Sequence, residues 1–113
     1  MGVEEIFRGY TATVIGGVDR GDYESRLQQL GFEKVYRSYD KKDLKKMPKL
    51  LNNSDIGIVV GGCCSHVQLK KAKQVCGELG VPLINVPGSS GPLNVTKYLL
   101  ENHQDIYQRL HKS

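Results

Sequence analysis

The sequence predicts an α/β fold: a four-stranded parallel sheet, order 2-1-3-4, in a three-layer sandwich of the flavodoxin or Rossmann-like kind. Three observations carry this. Four short β-rich runs each end in glycine or a polar turn, and each is followed by a stretch with helical apolar spacing. Helical crossovers force the strands they join to run parallel, and right-handed connection leaves few topologies. The chain has 113 residues, enough for one domain spanning 1–113.

The first strand is Thr11 to Gly17, apolar and β-branched, and leads into a glycine-containing turn, Gly16 to Gly21. Asp22 is placed to cap a helix whose core stripe is Tyr23, Leu27 and Leu30, with Gly31 as its stop. Glu33 to Tyr39 alternates, putting Val35 and Tyr39 on one side, and reads as an outer strand. Asp43 to Asn53 is a weaker helix in which Pro48 belongs in the first turn of a short segment. Ile56 to Val60 is the most apolar run and is expected to be buried on both faces. Ser65 and Gln68 have the spacing of a capping box, so a helix starts there. Its stripe is Leu69, Ala72, Val75, Cys76 and Leu79, and Gly80 ends it. Val81 to Val86 is the fourth strand, with Pro82 tolerable at an edge or first position. Pro92 opens one last long helix carrying Leu93, Val95, Tyr98, Leu99, Leu100, Ile106, Tyr107 and Leu110. Its apolar residues fall on more than one face, so part of it is expected to pack on a second subunit in a homodimer.

Composition excludes several classes. The longest nearly unbroken apolar stretch, Ile56 to Cys64, is about half of what a membrane-spanning helix needs, so no membrane role is expected. Glu4 and Glu5 stand where a signal peptide carries positive charge, and Ile6 stands where a myristoylation motif needs Ser or Thr. Three cysteines, two of them adjacent, do not make a disulfide framework; reduced thiols in the cytoplasm are the simpler account. The formal charge is +4, concentrated in Lys41, Lys42, Lys45, Lys46 and Lys49 and in Lys70, Lys71 and Lys73. Lysines at these spacings read as solvated helix faces, and no Arg-rich or aromatic-interleaved patch marks a nucleic-acid site.

In an open parallel sheet, ligands bind beyond the carboxyl ends of the strands where strand order reverses, here between the first and third. Three turns converge on that edge: Gly16 to Asp22, Gly61 to His66 and Pro87 to Gly91, all rich in Gly or Ser. Glycine admits a ligand to the backbone N–H groups, and each helix N-terminus adds about half a positive charge, which favours a phosphate or carboxylate. The residues expected to line such a site are Gly16, Gly17, Arg20, Asp40, Gly62, Cys64, Ser65, His66, Gly88, Ser89 and Ser90. Arg20 suits a bidentate grip on an anion, and Asp40 ends the second strand where an acid binds ribose hydroxyls. Val18 stands where a dinucleotide fingerprint has its middle glycine, and no Gly-Lys-Ser or Gly-Lys-Thr marks a P-loop.

Cys63-Cys64-Ser65-His66 is the densest reactive cluster. A helix N-terminus stabilises a thiolate, so Cys64 is a candidate nucleophile, redox centre or soft-metal ligand. Cys63, Cys64 and His66 form an alternative site for haem or a metal ion, although adjacent cysteines on extended backbone point to opposite sides. Cys76 belongs to a core stripe and is assigned no chemistry. His103, Tyr107 and His111 recur every four residues and read as a solvated or subunit-facing stripe.

From Ala12 to about Ser90 the order of features resembles DUF2325, a small bacterial domain family of unknown function. The resemblance rests on Val-Ile-Gly-Gly with Arg20 nearby, the Ser-Asp-Ile-Gly-Ile-Val-Val strand ending near Cys-x-Ser-His, and Lys70-Lys71-Ala72-Lys73 with Cys76. Gly-Val-Pro-Leu-Ile and a Ser-Ser turn follow. It implies a compact Rossmann-like domain with no assigned reaction, and adds weight to Arg20, Ser65, His66, Ser89 and Ser90. The expected function is a non-enzymatic regulatory module holding a small anionic, nucleotide-like molecule. The alternatives are a haem or metal-binding regulator and a cysteine-dependent enzyme.

Overall fold

The computed structural model describes residues 7–17, 22–38, 44–87 and 91–112, the side chains of Cys63, His111 and Lys112 excepted. Four strands, β1 (Thr11–Gly16), β2 (Lys34–Ser38), β3 (Ile56–Val60) and β4 (Leu83–Val86), form one sheet in the order β2-β1-β3-β4. Every pairing is parallel, with Val14 opposite Arg37 on one side and Ile58 on the other, and Ile58 opposite Ile84. The helices are α1 (Tyr23–Gln28), α2 (Met47–Asn52), α3 (His66–Leu79), α4 (Pro92–Glu101) and α5 (His103–Lys112).

Strand alternation divides the core in two. Ala12, Val14, Val35, Ile56, Ile58, Ile84 and Val86 face α1, α4 and α5, where Tyr23, Leu27, Val95, Leu99 and Ile106 meet them. Ile15 and Val59 face α2 and α3 and meet Met47, Leu51, Ala72, Val75 and Cys76. This is the three-layer sandwich expected of the sequence. All five residues of β3 are buried. A Cβ at Gly57 would lie 3.0 Å from the end of Leu83 and 3.1 Å from the end of Leu51, so glycine lets these two leucines close on the strand. On β1 the one buried polar side chain, Thr13, bonds Ser54 Oγ at 2.6 Å, and Ser54 Oγ donates to the Leu50 carbonyl at 2.8 Å. That satisfies a polar pair which would otherwise cost stability in the core.

Capping follows the sequence closely. Asp22 accepts from the Ser25 N–H, and Pro48 sits in the first turn of α2. Ser65 and Gln68 form both bonds of the capping box, while Gly80 closes α3 in the left-handed region at φ 72°.

Three expectations need correction. The last helix is two: at Asn102 the backbone leaves helical geometry (φ −114°), its side chain donates to the Tyr98 carbonyl at 2.9 Å, and His103 Nδ1 lies 2.7 Å from the Leu100 carbonyl. The Tyr98 carbonyl thus accepts from both the side chain and the N–H of Asn102, a side-chain cap that marks the end of α4. Leu79 is not core but 41% exposed, the last residue of α3 before its glycine stop. Gly17 lies just beyond β1, which stops at Gly16.

The segment before Thr11 carries no periodic pattern, yet Phe7 is fully buried, stacked on Phe32 with ring centroids 4.8 Å apart. Its N–H donates to the Leu30 carbonyl, and the Glu33 N–H to the Tyr10 carbonyl, so this segment closes the α1–β2 corner. Phe7→Ala is expected to cost about 3–5 kcal/mol of unfolding free energy, the usual range for a buried Phe. Urea denaturation monitored by circular dichroism reads this directly, and a loss below 1 kcal/mol would place Phe7 outside the cooperative unit.

Candidate functional site

The parallel sheet brings the carboxyl ends of β1, β2, β3 and β4 to one edge, with the order reversing between β1 and β3. The β1 turn begins with Gly16 (φ 81°) and Gly17 (φ 92°), both in the left-handed region. At Gly17 a Cβ would lie 2.8 Å from the Tyr23 ring, so packing as well as conformation demands glycine there. After β3, Gly61 to Cys63 makes a single 3-10 turn with Gly62 exposed. A Cβ on Gly61 would lie 3.1 Å from Asn85 Oδ1, which ties this turn to the end of β4.

Ser65 caps α3, and the box occupies the N–H groups of Ser65 and Gln68 at 2.9 and 3.1 Å. Helix geometry leaves the His66 and Val67 N–H groups directed out of the first turn, and both residues are exposed. Gln68, buried, also lies 3.5 Å from the Ser38 carbonyl at the end of β2, linking α3 to that strand. Ser38 Oγ is fully buried and has no hydrogen-bond partner among the described residues.

Arg20, Asp40, Gly88, Ser89 and Ser90 lie outside the described residues. Of the expected set, Gly16, Gly17, Gly62, Cys64, Ser65 and His66 can be followed, and they occupy the ends of β1 and β3 and the start of α3.

A residue the sequence reading passed over also stands at this edge. Arg37 is the penultimate residue of β2, half-buried, in register with Val14 and on the side of the strand that Val35 shares. Its guanidinium lies 4.5 Å from the centre of the Tyr23 ring and donates to the Gly16 carbonyl at 3.2 Å. A cation over an aromatic face is held by the ring's negative potential, so Arg37 fixes a positive charge beneath the β1 turn. The available signal was the alternation itself: Val35 and Arg37 share a side, and a charged residue on an otherwise apolar side has a specific partner.

Cys64 follows the 3-10 turn and precedes the Ser65 cap. Its backbone is extended, its half-buried side chain packs on the α2–α3 core, and Sγ lies 3.5 Å from the Ser65 carbonyl. Burial pushes its thiol above the ordinary value. Cys76, deeper in the same core, is pushed up to about 11 by burial. Among the described residues no three of His, Cys, Asp and Glu gather closely enough to hold a metal ion. His103 is half-buried against the Leu100 carbonyl, and Tyr107 stacks edge-on with Tyr10 at 6.2 Å, so these two members of the C-terminal stripe are engaged in packing.

The described residues also line three concavities along β4, none anticipated from the sequence. One of about 200 Å³ adjoins the carboxyl end of the strand between Val86, Pro87, Asn94, Lys97, Tyr98 and Glu101. Two others, of about 280 and 450 Å³, lie along the rest of the strand and share Leu83 and Arg109.

Fold and site together define a doubly wound parallel α/β domain of Rossmann-like type, its glycine turns and longest helix N-terminus sharing one edge. The chain belongs to the family described as an uncharacterized protein conserved in bacteria (DUF2325), whose sequence model matches residues 11–100. Searches of curated proteins and of solved structures find no match. No helix among the described residues is long and apolar enough to cross a membrane.

Two outcomes follow from this geometry. Gly17→Ala is expected to destabilise by about 2–4 kcal/mol, combining a strained φ with a clash against a buried ring; a near-neutral result in urea denaturation would contradict the close approach of Tyr23. Cys76 resists alkylation at neutral pH in the folded protein and reacts after unfolding. Because its folded value, about 11, exceeds the ordinary 9.0, its contribution to stability is intact below about pH 9 and is lost as pH climbs toward 11. Iodoacetamide labelling and a pH series of unfolding curves check both statements.

Proposed function

We propose that the protein is a non-enzymatic regulatory module that holds a small anionic, nucleotide-like ligand at the carboxyl edge of its sheet. The observation that carries this reading is the parallel order β2-β1-β3-β4, which gathers the turns after β1, β3 and β4 on one side of the molecule. Positive potential supports an anion there. The N-terminus of α3, a 14-residue helix, supplies its dipole and the first-turn N–H groups of His66 and Val67, and Arg37 adds a fixed charge under the β1 turn. Arg20, Ser89 and Ser90 are assigned to the anion, and Asp40 to a sugar hydroxyl, on the sequence alone. Ser65 serves chiefly as a cap, and His66, exposed beside it, hydrogen-bonds the ligand.

The haem or metal reading through His66 with Cys63 or Cys64 draws less support, since the Cys64 side chain packs on the α2–α3 core while His66 is exposed. The module is read as cytoplasmic, in keeping with its free thiols Cys64 and Cys76. It is also read as a homodimer through its C-terminal helices, where Leu93 and Tyr107 stay exposed.

A thermal-shift panel of nucleotides tests the ligand. A nucleotide supplied at a hundred times its Kd is expected to stabilise the fold by about 2.7 kcal/mol, an effect reduced by Arg20→Ala and by Ser90→Ala. Stabilisation by none of the panel, or stabilisation indifferent to both substitutions, overturns the reading. Native mass spectrometry of the purified protein reports a retained ligand and the subunit number together.

A further inference from the structure

Two lysine clusters that are separate in sequence share one layer of the fold. Lys45, Lys46 and Lys49 lie on or just before α2, and Lys70, Lys71 and Lys73 lie on α3. The two helices pack side by side on the same face of the sheet. Five of the six lysines are exposed and Lys71 is half-buried. The opposing acid on these helices is Glu78, so this layer carries +5, one more than the +4 of the whole chain, and the remainder is −1. None of the six makes an ion pair with another described residue, whereas Arg109 on the opposite layer pairs with Asp105 at 3.5 Å. Lys70 and Lys73 stand one turn apart, as do Lys46 and Lys49, so like charges repel at helix-neighbour spacing. A polyanion relieves that repulsion and gains from releasing its counterions.

We propose that the α2–α3 layer docks on the phosphate backbone of a nucleic-acid duplex, without reading its sequence. The layer's other features select this occupant. Neither helix carries Phe, Tyr or Trp, so nothing offers the stacking platform that single strands use. The exposed apolar side chains are Val67 and Leu79, at opposite ends of α3, which do not form the continuous apolar strip that a helix lying in a bilayer surface buries. Lysine supplies point charges suited to phosphates, whereas arginine forks or side-chain amides read base edges. The docking face shares α3 with the site assigned to the small ligand but rests on the lysines of α2 and α3, not on the strand edge.

Fluorescence anisotropy with a labelled 20-base-pair DNA duplex tests the proposal. The expected Kd is about 1–100 μM near physiological salt, and between 50 and 200 mM salt affinity falls roughly 10²–10³-fold, as for four to six neutralised phosphates. Scrambling the duplex sequence leaves both values unchanged. Replacing Lys70, Lys71 and Lys73 together by Gln, or Lys45, Lys46 and Lys49 together by Gln, weakens binding at least tenfold and lowers the salt slope by about 2–3. Retained thermal unfolding of each variant guards against a folding artefact. Wild-type binding by both variants overturns the proposal. So does tighter binding to the single strand, or equal binding to poly-glutamate or anionic phospholipid vesicles under the same salt, since the face would then serve an acidic protein or a membrane.

Discussion

Ile56, Gly57, Ile58, Val59 and Val60 are all buried, and a strand with no solvent-facing side chain has to be covered by helices on both faces. The other features follow from that cover. Connections between neighbours of β3 must leave the sheet, run back as helices and re-enter, so each strand runs the same way and each strand-to-helix turn opens on the same side. Thr13 and Ser54 show how strict the burial is: the polar pair inside this core is admitted because each hydroxyl finds a partner. Gly57 expresses the same demand in volume, since even a methyl group there would press on Leu83 and Leu51.

At the carboxyl edge, opposing electrostatic effects are decided by burial. The start of α3 favours negative charge, yet Cys64 packs its side chain on the α2–α3 core, where burial pushes its thiol above the ordinary value. His66, one residue into the helix, remains exposed and reachable. Arg37, half-buried, lies over Tyr23 and donates to the Gly16 carbonyl, which holds its charge at the sheet edge. The surroundings of both residues depend on the direction in which each side chain leaves the backbone.

The layers differ in electrostatic character as well as composition. On α5, Arg109 and Asp105 compensate each other locally, four residues apart. On α2 and α3 the lysines accumulate without such compensation, and the sheet holds the two helices together so that their charges sum. The protein therefore presents one positively charged layer, one near-neutral layer, and an edge between them governed by a helix dipole.

Sequence alone determined the strand order, the parallel sense, the capping of α1 and α3 and the double burial of β3, because each depends on local spacing or on connection length. Ser65 and Gln68 illustrate this, three residues apart and bonded as their spacing requires. Tertiary structure decided what depends on distant neighbours. Phe7 is core because Phe32 lies against it, and Gly17 is obligatory because the Tyr23 ring occupies the space beside it. The break at Asn102 was settled by side-chain bonds to the Tyr98 and Leu100 carbonyls, and the lysine runs became one surface only when α2 and α3 packed together. Periodicity specifies which face of an element turns inward; it does not specify which side chain from elsewhere in the chain will be waiting there, and both Arg37 and Cys64 took their character from that second fact.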